Sequence, residues 1–184
     1  MPAPLLVTFT AGAAGPWQVE RIVAIAGDTL PAAPRMAMLE GTDAAPPGDA
    51  AWTLRGTTSN TRYAMRAEAQ AMQARQEGLA RPRATCGVLI PINKSEAWWA
   101  LAQDERRRIF EEQSRHIGIG MDYLPEVARR LHHGRDLGEP FDFLTWFEFA
   151  PEHEAAFDAM LVRLRETEEW RYVDREVEVR LRRA

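Results

Sequence analysis

The sequence contains a single cysteine, Cys86, and no apolar run that approaches the length of a membrane-spanning helix. One cysteine cannot form a disulfide within the chain, and this favours a reducing, cytoplasmic location. A membrane helix needs about 20 consecutive apolar residues, which no segment supplies. The apolar start of the chain, residues 1–12, lacks the basic residues that open a signal peptide. We therefore predict neither a membrane span nor a secretory leader.

The chain also lacks a large excess of charge of either sign. It carries 23 basic and 27 acidic residues, a formal net charge of -4, which argues against general binding to nucleic acids. With 184 residues and 46% hydrophobic residues, it can bury a core without a disulfide or a metal. This length fits one domain or a fused pair of small repeats. The only lysine is Lys94, and a compact ammonium on a flexible stem suits some sites that an arginine does not.

The signature motifs of several enzyme classes are absent. The sequence has no HExxH or CxxC motif for zinc, no glycine-rich nucleotide-binding motif and no GxSxG elbow. His116 is of most interest, because it follows Ile109, Phe110 and Gln113 at the spacing of one helix face. It is either a packed core residue or the ligand of a cofactor that brings its other ligands, such as haem. The remaining histidines have polar neighbours and are expected at the surface: His132, His133 and His153.

Local patterns predict an alternation of strands and helices. Strands are predicted at residues 5–10, 52–58, 86–92, 141–149 and 170–181. Helices are predicted at residues 62–77, from Ser95, at residues 104–117 with Gly118 and Gly120 ending the run, and from Pro151. Residues 31–51 are typical of a connecting loop, and residues 127–135 are ambiguous. If residues 127–135 form a strand, the order from Cys86 onward is β-α-β-β-α-β, the ferredoxin-like unit. The front half looks like a reduced copy, so we predict an α+β fold of two such halves.

Three segments of the sequence carry a family resemblance. They are IPINKSEAWWALAQDERRRIFEEQSRHI, YLPEVARRLHHGRDLGEPFDFLTWFEFAPEHEAAF and RETEEWRYVDRE. Together they resemble the chlorite dismutase family, in particular its short, dimeric branch, from about residue 52 to 175. The resemblance implies two ferredoxin-like halves forming a dimeric α/β barrel, and it makes residues 127–135 a strand. It divides the chain into a reduced N-terminal half, residues 1–82, and a haem-binding C-terminal half, residues 83–184. It also implies haem b as the cofactor and a homodimer.

The resemblance assigns roles at the haem iron to three residues. His116 corresponds to the proximal iron ligand, and Glu169 to the carboxylate that accepts a hydrogen bond from the other nitrogen of that histidine. Such a carboxylate fixes the orientation of the imidazole and makes it more electron-donating. Arg129 corresponds to the distal arginine, which would attract chlorite and retain hypochlorite. The neighbouring Arg130 should point to the opposite face of the predicted strand.

Four further residues match positions around the haem. Gln76 corresponds to the glutamine that holds the flexible arginine towards the haem in short members. Lys94 and Tyr63 resemble residues that reach the haem propionates, which would give the only lysine a role. Trp98 matches a tryptophan at the haem edge.

The activity implied by the resemblance is the conversion of chlorite to chloride and dioxygen, with formation of the O–O bond. Family members that decarboxylate coproporphyrin haem generally lack the distal arginine and use a tyrosine on another segment. Two alternatives remain open: a coprohaem decarboxylase or haem peroxidase of the same fold, and a non-catalytic haem-binding or sensing protein.

Overall fold

In the computed structural model, which describes residues 4–41, 47–58 and 63–184, eight antiparallel strands close into a barrel. The strands are β1 Leu6–Gly12, β2 Trp17–Ala26, β3 Arg35–Glu40, β4 Trp52–Thr57, β5 Cys86–Lys94, β6 Ala128–His133, β7 Phe143–Phe149 and β8 Val173–Arg183. The α-helices are α1 Arg66–Arg75, α2 Glu96–Ala100, α3 Gln103–Arg107, α4 His116–Met121 and α5 Glu154–Arg165. A π-helical segment, Arg108–Gln113, follows α3 directly. None of the helices in the described part of the chain has the length and apolar character that crossing a bilayer requires.

The C-terminal half is a complete ferredoxin-like unit. Its strands lie in the order β8-β5-β7-β6, so the first strand of the half is flanked by the last and the third. Helices α2 to α4 connect β5 to β6, and α5 connects β7 to β8. This confirms the predicted β-α-β-β-α-β order and the strand at β6, which the local pattern alone left ambiguous.

The N-terminal half repeats this strand order without its helices. Its strands lie as β4-β1-β3-β2, which is the same order counted within the half. In the described residues no helix intervenes between these strands, and α1 comes only after β4. The α+β class with a reduced N-terminal half is therefore confirmed, whereas the boundary at residues 82 and 83 stays a prediction.

Two predictions about local structure were wrong. The connecting loop expected at residues 31–51 contains β3, which pairs with β1 from Val7↔Glu40 to Gly12↔Arg35, while residues 42–46 lie outside the described residues. The continuous helix expected at residues 104–117 is broken after the π-helical segment, where Arg115 takes a left-handed φ of 52°. Gly118 and Gly120 lie inside α4 and do not end the helical run.

The alternation of side chains along the strands separates two cores. Phe9, Leu89 and Trp146 belong to a cluster that fills the inside of the barrel. Phe147 and Phe157 belong to a second cluster, formed between the outer face of the C-terminal strands and α5. Since successive residues of a strand point to opposite faces, the same strands supply both clusters. The helices that cover the outer face create the space in which a ligand can bind.

Candidate functional site

A cavity of about 490 Å³ lies between the outer face of the C-terminal strands and the helices. Its walls are mostly apolar and include Ile90 from β5, Phe147 from β7 and Leu164 from α5. Cavities that hold cofactors measure about 300–1,000 Å³ and are mostly apolar, with a few polar groups that orient the ligand. The structure brings all of the predicted site residues to this cavity: Tyr63, Gln76, Lys94, Trp98, His116, Arg129 and Glu169.

His116 is the first residue of α4 and presents its ring to the cavity. Its Nδ1 lies 2.6 Å from Oε2 of Glu169, a residue of the short 3-10 segment Glu168–Tyr172. The Phe110 ring stacks on one side of the imidazole with a centroid distance of 4.4 Å, and the Trp170 ring is nearly parallel to it at 6.2 Å. Because Nδ1 donates to the carboxylate, Nε2 is the ring nitrogen that can bind a metal.

Glu169 is a buried carboxylate held by two cationic or donor groups. Besides His116, it accepts a hydrogen bond from Lys94 Nζ at 2.6 Å, and its backbone N–H donates to Ser114 Oγ at 2.9 Å. Burial alone would raise the pKa of the Glu169 carboxyl, but His116 and the Lys94 ammonium lower it to about 2. Glu169 is therefore ionised at neutral pH and acts only as a hydrogen-bond acceptor.

Lys94 is engaged on the Glu169 side of the cavity. Its side chain is 5% exposed, and the ammonium lies 4.6 Å from the ring centroid of Trp98 and 5.5 Å from that of Trp170. The structure thus gives the only lysine a carboxylate partner within the chain, a contact that the sequence did not indicate. The predicted contact of Lys94 with a propionate stays a prediction.

Arg129 projects from the outer face of β6 and forms no ion pair within the described residues. Its polar contact is with Met72 on α1, where Nη2 lies 3.7 Å from the sulfur. Loss of surrounding water lowers the pKa of the Arg129 guanidinium to about 10, so the group stays charged at neutral pH. A half-buried cation without a carboxylate partner can attract an anion, because the anion restores electrostatic stabilisation that the missing water would give.

Arg130 points to the inside of the barrel, as the strand alternation predicts. It forms an ion pair with Glu40 at 2.7 Å, and its Nε donates to Nε2 of His132 at 3.0 Å. The expectation that His132 and His133 lie at the surface was wrong, since they are 0% and 3% exposed. Polar neighbours in sequence misled the prediction, because the fold packs the His132 ring against Phe9, with centroids 5.1 Å apart, and the His133 ring against Phe143, with centroids 5.5 Å apart.

Gln76 reaches β6 through its side chain. Its Nε2 donates to the backbone oxygen of Arg129 at 2.9 Å, so the contact is with the strand and not with the guanidinium.

Tyr63 and Trp98 meet edge to face with ring centroids 5.7 Å apart. Within the described residues, Tyr63 Oη and Trp98 Nε1 are buried without a hydrogen-bond partner. These two groups can therefore donate to polar groups of a ligand.

Sequence reasoning missed three residues that support the site. Ser114 binds the backbone of Glu169, Trp170 flanks His116, and Glu111 accepts hydrogen bonds from the start of α4. Trp170 adjoins Glu169 in sequence and Ser114 lies two residues before His116, but nothing local indicates their contacts.

Comparisons with known proteins agree on one family. Residues 28–182 match the family model described as chlorite dismutase. A curated chlorite dismutase of Ideonella dechloratans is 30% identical over 84 residues, 46% of this chain, and the matched segment spans 27% of that relative. The crystal structure of a dimeric chlorite dismutase from Nitrobacter winogradskyi is 50% identical with a TM-score of 0.89, covering 97% of this chain and 99% of that chain. A chlorite dismutase from Candidatus Nitrospira defluvii in complex with imidazole shares the fold at 18% identity and a TM-score of 0.65, covering 96% and 90%.

Proposed function

Because the chain belongs to the chlorite dismutase family, we propose that it is a haem b enzyme that converts chlorite to chloride and dioxygen. The reaction balances without a further reactant, since the chlorine and both oxygens of chlorite are recovered in chloride and dioxygen. When bound, haem supplies the redox chemistry that breaks the Cl–O bonds and forms the O–O bond.

The lining of the cavity fits haem b. His116 offers Nε2 as an iron ligand, because its Nδ1 is held by Glu169. The buried donors Tyr63 Oη and Trp98 Nε1 lack partners within the described residues and suit the propionates. Apolar side chains such as Ile90 and Phe147 form the walls against which a porphyrin would pack. These residues supply the ligand, the polar edge and the apolar walls that haem requires.

Arg129 would bind the substrate and retain the chlorine-containing fragment. A unit charge about 4 Å from an oxyanion contributes up to about 4 kcal/mol at an effective dielectric constant near 20. The single observation that carries the proposal is this charged side chain without an ion-pair partner in the described residues, in the same cavity as the His116–Glu169 pair. The conversion of chlorite to chloride and dioxygen takes up and releases no proton overall. The residues of the site therefore need only position the cofactor, attract chlorite and confine the reacting fragments.

Oxygen evolution from chlorite tests this function. We expect the haem-loaded protein to release close to one dioxygen per chlorite, far faster than free haemin at equal iron. Arg129→Ala should weaken the apparent chlorite affinity by roughly 10- to 100-fold and accelerate loss of the haem absorption band. Arg108→Ala is the matched control, because that arginine is 54% exposed and lies outside the cavity lining.

Three outcomes would overturn the proposal in different ways. If the protein with full haem occupancy evolves no more oxygen than free haemin, the proposed dismutase activity is wrong. Preferential binding of coproporphyrin haem, with vinyl groups appearing, would favour the decarboxylase. A native protein that binds neither cyanide nor imidazole would favour a non-catalytic haem-binding or sensing role.

Assembly and location are also proposals. The similar protein from Nitrobacter winogradskyi is described as dimeric, and we propose a homodimer for this chain. Sedimentation equilibrium checks it, and a single species of monomer mass would contradict it. The lone Cys86, buried in β5, is the basis for proposing a cytoplasmic location.

A further inference from the structure

The start of α4 is bound by a residue from outside the helix. Glu111, in the π-helical segment, accepts hydrogen bonds from the backbone N–H groups of Ile117 at 2.7 Å and Gly118 at 3.2 Å. The first N–H groups of a helix have no acceptor within the helix. Arg115, which occupies the capping position, makes no such bond with its side chain. Glu111 therefore supplies the cap that the local sequence lacks.

The need for this cap follows from the shape of α4. The helix has only six residues, His116–Met121, and a helix shorter than about 12 residues is marginal without external contacts. The backbone just before it takes the left-handed conformation at Arg115, which few residues other than glycine adopt. The carboxylate also places negative charge at the positive end of the helix dipole.

Three neighbouring residues constrain the position of His116 and of the helical turn that it begins. Phe110 stacks on its ring, and Glu111, the next residue, binds the turn that begins with His116. Glu169 accepts from Nδ1 at 2.6 Å. A shift of the first turn of α4 would move Nδ1 away from Glu169 and change the direction of Nε2.

We propose that Glu111 is a positioning residue that fixes the orientation of His116 by capping α4. It acts through the backbone of Ile117 and Gly118 and lies outside the cavity lining. The inference deepens the proposed function, because the direction of Nε2 determines how His116 would bind the haem iron.

The experiment compares Glu111→Ala and Glu111→Gln with Glu112→Ala. Glu112 is the matched control, since this neighbouring carboxylate is exposed and makes no hydrogen bond to α4. We expect the Ile117 and Gly118 amides of Glu111→Ala to exchange with solvent about 5- to 30-fold faster than in the wild type. Glu111→Gln keeps one acceptor oxygen and should give partial rescue. The Glu112 variant should match the wild type.

Two spectroscopic signals separate positioning from a merely structural role. In Glu111→Ala we expect the ring ¹⁵N resonances of His116 to shift or broaden, and the iron–histidine stretching band of the reduced, haem-loaded protein to move. Unchanged signals would overturn the role, as would amide exchange equal to that of the control. If the alanine variant does not fold, the same signals of Glu111→Gln decide. Absence of oxygen evolution from the wild type would instead overturn the proposed function, so the two failures are distinguishable.

Discussion

The buried ion pair between Lys94 and Glu169 makes a quantitative prediction about the proximal side of the cavity. The two charged groups lie 2.6 Å apart, and their side chains are 5% and 4% exposed. Removal of one partner leaves the other charge in surroundings that solvate it poorly, at a cost of about 3–5 kcal/mol. Glu169→Gln should lower the free energy of unfolding by an amount in this range, because Lys94 loses its carboxylate partner. Lys94→Met should lower it by less, because Glu169 keeps its hydrogen bond with His116.

The double variant should be far less damaging than the sum of the single variants, because neither charge is then left alone. We expect a coupling of at least about 2 kcal/mol in the double-mutant cycle. The measurement is urea-induced unfolding of the four proteins at equal cofactor content, followed by tryptophan fluorescence. Arg163→Met is the control, since its ion pair with Asp122 is largely exposed and should contribute less than about 1 kcal/mol. Additivity within about 0.5 kcal/mol would refute the reasoning and favour the predicted propionate contact of Lys94.

Three further predictions concern other parts of the structure. Burial lowers the pKa of His132 from 6.5 to about 4, so the neutral His132 ring contributes fully to the free energy of unfolding above pH 6.5, and up to about 3 kcal/mol of it is lost as the pH drops towards 4. The urea midpoint of His132→Gln should therefore vary less with pH over this range than that of the wild type. An equal dependence on pH would contradict the assignment. A Cβ at Gly120 would lie 2.2 Å from Arg129 Nη1, so Gly120→Ala should displace the guanidinium. The azide affinity of the haem-loaded Gly120→Ala protein should then fall to that of Arg129→Ala. An azide affinity equal to that of the wild type would contradict this prediction. Gln76→Ala should lose about 1 kcal/mol of unfolding stability, measured in urea, whereas Gln73→Ala should lose much less.

Elements with a strong local signal were predictable from the sequence. The aromatic run of β7 and the apolar run of β5 are dense in residues that favour strands, and both strands form. Ser95 caps α2 as its residue type indicates, by accepting a hydrogen bond from the Trp98 N–H at 3.3 Å. The family resemblance then supplied β6 and the identities of the site residues, which no local pattern could.

Elements stabilised by distant partners were not predictable. β2 has an exposed outer face and pairs with β8, from Trp17↔Arg183 to Ala26↔Glu176. β3 lies in a segment rich in proline, glycine and alanine, and it forms because β1 supplies hydrogen-bond partners along its whole length. Their strand character comes from closure of the barrel, because a closed barrel satisfies backbone groups that an isolated segment would leave to water.

The sequence by itself indicated most elements of the C-terminal half, with β6 left ambiguous, and it determined which chemical groups are available: an imidazole, a lone lysine, and several carboxylates and arginines. Only the tertiary structure decided how these groups pair. His116 and Glu169 are 53 residues apart, and Lys94 and Glu169 are 75 apart, yet each pair is joined at 2.6 Å. The break at Arg115 that starts α4 at His116 likewise depends on contacts made by Glu111 and Phe110. Local propensity acts over a few residues, whereas the direction of a side chain in a site is set by packing between segments that the fold alone brings together.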